Sequence, residues 1–312
     1  MHSSIRPRTP IRRLSWKNRV LDFQERRYVM GILNCTPDSF YPGSRVQETD
    51  QAVQSARAMI QAGADILDVG GESTRPGSDP VQASEEIRRV VPVIEKIREL
   101  SDVLISIDTR KVEVAEEALA AGADLLNDVS ALRGNLPLGQ CIAGRDVPVI
   151  LMHMRGEPKN MQENPRYRDV IAEIAEELAG SADFARSCGI REDRIIIDPG
   201  IGFGKRLQDN LAILRDLRSL RSLGCPIMIG LSRKSFIGMV LDKPVDQRLV
   251  GTVASHMLAL MNGADILRVH DVEEAVDTVM MFEAIRRTAV RRPEIRRGAA
   301  PPTSPQPGAD KG

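Results

Sequence analysis

The chain has 312 residues, with Lys plus Arg and Asp plus Glu both 43, so no net charge draws it to nucleic acid or another polyanion. Four scattered cysteines, Cys35, Cys141, Cys188 and Cys225, form neither a CxxC pair nor a disulfide framework, and a reducing compartment fits them best. No apolar run approaches the roughly 18 residues needed to span a membrane, and no hydrophobic signal core follows the N-terminus, so a soluble cytoplasmic protein is expected.

Residues 1–13 read as a flexible basic leader. Up to residue 19 the chain carries Arg6, Arg8, Arg12, Arg13, Lys17 and Arg19 without an acid, as an organellar transit peptide would, but Pro7 and Pro10 oppose the amphipathic helix such a peptide needs. Leu14 to Phe23 comes next, placed to plug the lower end of the fold that follows. Residues 289–312 are rich in Pro, Gly, Ser and Arg, have almost nothing to bury, and read as a disordered tail.

Between these ends one phrase recurs: AGADILDV at 62–69, AGADLLND at 121–128 and NGADILRV at 262–269. Each reads as a helix end, a Gly C-cap and a short apolar strand. The copies stand 59 and 141 residues apart. Those intervals are close to two and four βα units of about 30 to 35 residues, the repeat expected of an eightfold barrel of about 250. The phrase therefore marks strands two, four and eight. Val29 to Leu33 supplies strand one, Val103 to Ile107 three, Val149 to Met152 five, Ile195 to Ile197 six and Ile227 to Ile229 seven. Helical periods fill Thr49 to Gln61, Lys111 to Ala121, Arg168 to Cys188, Leu207 to Leu223, Gln247 to Met261 and Val272 to Arg287, with Leu136 to Ala143 the weakest. After strand two, Ser84 is placed to cap a helix with apolar face Ile87, Val90, Val91, Ile94 and Ile97. Strands alternating with helices predict an α/β fold, a single-domain TIM-type (β/α)8 barrel over residues 14–288, rather than a doubly wound sheet.

Chemistry in such a barrel gathers where the strands' C-terminal ends open into loops. Those ends carry Asn34, Asp68, Asp108, Asn127 with Asp128, His153, Asp198, the loop Gly230 to Lys234, and Arg268 with His270. Charges there are costly unless paired or ligand-bound, and Asp68, Asp108 and Asp128 have the alternative of capping helices or pairing with Arg75 and Arg268. In IIIDPGIGFGKR the β-branched run delivers Asp198 to the rim, the glycines let backbone approach a ligand, and Phe203 offers an apolar wall. The alternative for Asp198 is a cap on the next helix.

Two groups separate by chemistry. Asp108, Asn127, Asp198 and Lys234 combine acceptors and donors, as a flat heterocycle with an amidine-like edge requires. Asn34, Arg75, Arg268 and His270 suit a phosphate or diphosphate, beside a helix whose capping box, Asp271 to Glu274, turns its N-terminus toward the same place. The loops TPDSFYPGSR and GGESTRPGSDP carry Phe40, Tyr41 and Arg75 and are expected to close over a substrate. His256 reads as structural, His153 is left open, and Met152 and Met154 read as wall.

GILNCTPDSF, DVGGESTRPGS, SIDTRK, NDVSAL, LMHMRGEPKNMQ, DPGIGFGK, GLSRKSFIG and RVHDV, in that order from Tyr28 to Ala284, resemble the successive motifs of the dihydropteroate synthase family. The resemblance implies a transferase of a pterinylmethyl group, joining 6-hydroxymethyl-7,8-dihydropterin diphosphate to p-aminobenzoate and releasing diphosphate for folate synthesis. It places the pterin on Asp108, Asn127, Asp198 and Lys234, walled by Met152 and Phe203. The diphosphate falls on Asn34, Arg75, Arg268 and His270, with Mg²⁺ held by Asn34, the diphosphate oxygens and Asp38. The aminobenzoate falls on Phe40, Thr74, Arg75, Pro76, Lys234 and Ser235. Asp108, Lys234, Arg268 and His270 become the catalytic set, and a homodimer is implied. The rival readings are a pterin-dependent methyltransferase barrel and a non-catalytic pterin-binding relative.

Overall fold

The computed structural model describes residues 8–36, 45–73, 80–156 and 161–290. An antiparallel hairpin, β1 (Arg13–Trp16) and β2 (Arg19–Asp22), precedes the sheet. Eight parallel strands follow: β3 (Tyr28–Asn34), β4 (Ile66–Gly70), β5 (Leu104–Asp108), β6 (Leu125–Asp128), β7 (Val149–Met152), β8 (Ile195–Asp198), β9 (Met228–Gly230) and β10 (Ile266–Val269). Their lateral order is β8-β7-β6-β5-β4-β3-β10-β9, and a parallel bridge between Ile197 and Ile227 joins β8 to the start of β9. The sheet thus curls into the expected eight-stranded barrel. Among the described residues no helix is long and apolar enough to cross a membrane.

The surrounding helices are α1 (Arg45–Gln61), α2 (Ala83–Leu100), α3 (Val112–Ala120), α4 (Leu136–Arg145), α5 (Val170–Ser187), α6 (Leu207–Asp216), α7 (Ser235–Leu241), α8 (Leu249–Met261) and α9 (Val272–Val290). Ser84 does not cap α2: it lies inside the first turn, the N-cap is Gln82 without a side-chain bond, and Gln82 O accepts from Glu85 N and Glu86 N, both at 3.0 Å. The weak α4 is held by its cap, where the Asn135 side chain accepts from Leu138 N at 3.2 Å. Residues 217–223, expected to prolong α6, tighten into a 3-10 helix. The short α7 lies outside the segments read as having a helical period, because seven largely apolar residues are too few to show one.

The threefold phrase has a structural cause. Its aspartates, Asp65, Asp124 and Asp265, stand at the lower ends of β4, β6 and β10. Each carboxylate accepts one backbone N–H of the preceding strand: Val29 N, Ile105 N and Ile227 N, all at 2.9 Å. The backbone N–H of each aspartate returns to the same residue's carbonyl, at 2.9, 2.7 and 2.8 Å. Arginines neutralise the three: Arg26 on Asp65, Arg98 and Arg19 on Asp124, Arg221 on Asp265. A slip of one residue would strand both partners, so these contacts set register.

The hairpin seals this lower end. Leu14, Trp16 and Leu21 are buried, Trp16 Nε1 donates to Asp124 O at 3.1 Å, and Arg19 Nη1 donates to Asp102 O at 2.8 Å. Ahead of it, within the stretch expected to be a leader, Arg8 N and Ile11 N donate to Ser222 O and Gly224 O at 3.1 and 2.7 Å. Asp124→Ala should leave Ile105 N–H without its side-chain acceptor and two arginines without their carboxylate, and cost about 3 kcal/mol in urea unfolding. A loss below about 1 kcal/mol would contradict the register role.

Candidate active site

At the opposite, C-terminal end of the strands, Arg268 reaches across the barrel mouth from β10. Its Nε donates to Asp68 Oδ2 at 2.6 Å and its Nη2 to Asp108 Oδ2 at 2.7 Å. Asn127 Nδ2 donates to the same Asp68 oxygen at 3.0 Å. Four strands are therefore tied through one cation and two carboxylates. Burial pushes the Asp108 carboxyl up to about 8 although Arg268 pulls it down, and Asp68, Glu86 and Asp128 push it further up. Sequence chemistry assigned Asp108 to a heterocycle and Arg268 to an anion, and the fold joins them directly. The alternative of pairing with Arg268 is what Asp68 and Asp108 adopt. Asp128 takes neither alternative: it closes the turn after β6, accepting from Ser130 N at 2.8 Å and Leu132 N at 2.7 Å, while Asn135 caps the next helix.

Across the mouth, Asp198 ends β8, with Oδ1 accepting from Gly200 N at 2.7 Å. It does not cap the next helix, which starts at Leu207 and whose Arg206 N–H is taken by Asp209. Burial raises the Asp198 carboxyl, while Lys234, Gly200 N–H, Arg268 and Lys205 pull it down. Lys234 Nζ donates to Ile201 O and stands 4.8 Å from the Phe203 ring centroid. Burial lowers this amine to about 8 against the pull of Asp198.

The loop between Asp198 and α6 is held from all sides. Gly200 and Gly204 have φ of 66° and 62°, and a Cβ on either would overlap a carbonyl oxygen, of His153 and Arg155 respectively. Asn210 Oδ1 accepts from Gly202 N at 2.8 Å, and Tyr167 OH donates to Gly204 O at 2.9 Å. Beneath the loop lies Lys205, whose Nζ is 2.9 Å from His153 Nδ1 and donates to Phe203 O at 3.0 Å. Burial depresses this amine to about 7 and the His153 imidazole to about 4. Sequence reasoning gave Lys205 no role. A lysine reads as solvent-facing, and only the closed loop buries it.

Met152 and Phe203, the expected walls, meet in one apolar cluster with Val129, Met154 and Met161. On the β9 side, Ser232 Oγ lies 3.1 Å from His270 Nδ1 and accepts from His270 N at 3.3 Å. Arg233 forms a two-pronged pair with Asp271 at 2.9 and 2.8 Å, so the carboxylate expected to cap α9 is engaged by that guanidinium. Ser235 is exposed at the first position of α7, and Asn34 is half-buried at the end of β3. His256 is buried within α8, where burial lowers it to about 4. Asp38, Phe40, Tyr41, Thr74, Arg75 and Pro76 lie outside the described residues. At the margin of that second loop, Glu72 accepts from Val81 N at 3.1 Å and pairs with Arg110 and Lys111, and Lys111 also pairs with Glu86. Sequence reasoning missed this ion network as well.

The mouth therefore offers buried acceptors, two cations and an apolar wall within one ring of strand ends. Residues 30–270 match the family model for pterin binding enzymes. A dihydropteroate synthase of Synechocystis is 44% identical over 86% of this chain and 93% of its own. Among solved structures, Yersinia pestis dihydropteroate synthase with a sulfonamide drug complex superposes with a TM-score of 0.83, at 43% identity over 88% of this chain and 99% of that one. The Xanthomonas albilineans dihydropteroate synthase in complex with 7,8-dihydropteroate gives 0.79, at 41% identity over 88% and 98%. By strand-end chemistry, barrel and relatives alike, the chain belongs to the dihydropteroate synthase family of pterin-binding enzymes.

Proposed function

We propose that the chain condenses 6-hydroxymethyl-7,8-dihydropterin diphosphate with p-aminobenzoate, giving 7,8-dihydropteroate and diphosphate. The observation that carries this reading is the buried Asp198 beside Lys234 and Phe203, an acceptor, a donor and an aromatic wall in one place. Asp198 takes a ring N–H and the exocyclic amine as a parallel pair, and Lys234 donates to the ring. Asn127 and Asp108 complete the edge, with Met152 and Phe203 against the face. Arg268, His270, Asn34 and Arg75 receive the diphosphate. Phe40, Thr74, Arg75, Pro76, Lys234 and Ser235 receive the aminobenzoate.

An aromatic amine is neutral at pH 7 and needs no strong base, whereas a departing diphosphate needs its growing charge met. The proposed chemistry is accordingly dissociative. Arg268 and His270 stabilise the leaving oxygens, while Asp108 and the electron-rich ring stabilise a pterin-methyl cation. A ring that takes the Asp108 oxygens competes for the acceptor that now holds Arg268 Nη2, so pterin binding turns that arm toward the anion.

Mg²⁺ is the proposed cofactor. The amide oxygen of Asn34 suits a hard cation, and the described residues contain no group of three or more His, Cys, Asp or Glu that could hold a metal. A cation shared with the diphosphate, with Asp38 as its second protein ligand, fits that sparse donor set. When bound, it supplies charge neutralisation at the diphosphate. The four cysteines stand as free thiols, which supports a cytoplasmic setting.

A homodimer is proposed through the outer faces of α8 and α9. Val250, Met261 and Met280 there are 75%, 59% and 65% exposed, large apolar side chains on two neighbouring helices that a second copy would cover. Light scattering should give two chains per particle, and a single-chain mass would remove the proposal.

The decisive assay mixes the protein with both substrates and Mg²⁺ and follows dihydropteroate and diphosphate together. Product that disappears on chelation is expected, and bound pterin without product would leave a non-catalytic relative. With bridging-¹⁸O pterin diphosphate and no aminobenzoate, scrambling of the label into non-bridging positions is expected. Its absence would argue against dissociation. Asp198→Asn turns one acceptor into a donor facing an N–H and should weaken pterin binding by about 100-fold while leaving the fold intact. Unchanged affinity for the pterin diphosphate would refute the Asp198 assignment.

A further inference from the structure

Asp68 touches two residues of the proposed site at once, yet lies beneath both of them. Its side chain is fully buried, and Oδ2 alone accepts from Arg268 Nε at 2.6 Å and Asn127 Nδ2 at 3.0 Å. Because Asp68 Oδ2 accepts from Nδ2, the amide of Asn127 turns its NH2 toward Asp68 and its oxygen away. That oxygen, Asn127 Oδ1, is buried and has no hydrogen-bond partner among the described residues. A buried acceptor without a donor is costly, and a ligand N–H relieves it. The second hydrogen of an exocyclic amine has this chemistry, since Asp198 takes only one of the pair together with the ring N–H.

Resting on the pterin reading above, we propose that Asp68 is a positioning residue that holds Asn127 with its carbonyl oxygen as the open acceptor, and so selects a ring edge bearing an amine. An amide released from Asp68 could turn over and present NH2 at the same point, accepting a ligand carbonyl as readily as an amine. Held in place, it sets oxygen against oxygen for the wrong ring. Arg268 completes the device. Its Nε–H sits on the same carboxylate oxygen and keeps Asp68 from rotating away from Asn127.

Two ring ligands without diphosphate separate this role from any anion contact of Arg268. They are 6-hydroxymethylpterin, which carries the exocyclic amine, and 6-hydroxymethyllumazine, which has a carbonyl oxygen in its place. Dissociation constants for both are measured calorimetrically with the unmodified protein, Asp68→Asn and Asp68→Ala, and the readout is the ratio between the two ligands. The unmodified protein should prefer the amine by about 100-fold or more. Asp68→Asn should keep the ratio within about threefold, because the Arg268 N–H holds the new amide's oxygen where Oδ2 stood. Asp68→Ala should lower the ratio by about tenfold, a change in selectivity that a general loosening of the site does not produce.

An unchanged ratio in Asp68→Ala overturns the proposal, however far both affinities fall. So does an equal loss in Asp68→Asn, which would make charge rather than orientation the cause. If Asp68→Ala does not fold, Asn127→Ala removes the amide itself and must give the same fall, and an unchanged ratio there overturns the proposal too. Failure of the unmodified protein to bind either ring overturns the pterin reading, and this inference with it.

Discussion

One guanidinium between two buried carboxylates organises the upper half of this barrel. Arg268 meets Asp68 and Asp108 at 2.6 and 2.7 Å, and through them β10 is joined to β4, β5 and, by way of Asn127, β6. The arrangement sets one guanidinium against two carboxyl groups in a buried place. Burial first, and the neighbouring acids Asp68, Glu86 and Asp128 after it, hold the Asp108 carboxyl high against the pull of Arg268. Across from it, Asp198 with Lys234 and Lys205 repeats the problem with the sign reversed, one acid among two amines that burial keeps from holding their protons firmly. A site built from two incomplete charge balances is completed by what binds in it.

The lower half solves a different problem. Asp65, Asp124 and Asp265 each accept a backbone N–H and pair with arginine, and the hairpin covers Asp124. Charge is satisfied at one end of the strands and left partly unsatisfied at the other. Stability and ligand chemistry thereby occupy separate ends of the same eight strands.

Much of this was legible in the sequence. Strands whose β-branched runs stop at a polar residue fell within a residue of their observed ends, because a strand buried on both faces leaves few other ways to read such a run. The repeated GAD phrase located three strands, although its cause, a carboxylate reaching the neighbouring strand's N–H, is a contact between segments that no local pattern displays. Asp108, Asn127, Asp198, Lys234 and Arg268 came from their places at strand ends. What escaped depended on burial of charge. Lys205 under its glycine loop, Glu72 with Lys111 and Glu86, and Asp68 as the support of two other residues are all decided by which long polar side chains the tertiary fold encloses. The mistaken Ser84 cap was a local choice between adjacent turns that backbone geometry resolved in favour of Gln82.

The apolar wall has a consequence of its own. Three of its members, Met152, Met154 and Met161, are thioethers, flexible enough to mould themselves to rings of differing outline. The same sulfurs are oxidisable in principle, and burial is what keeps oxidants from them. A sulfoxide on any of them would force a polar, branched group into a packed apolar cluster while leaving every charged residue at the mouth intact. Resistance to oxidants then depends on how completely Val129 and Phe203 keep those sulfurs enclosed, which makes the packing of this wall itself a form of protection.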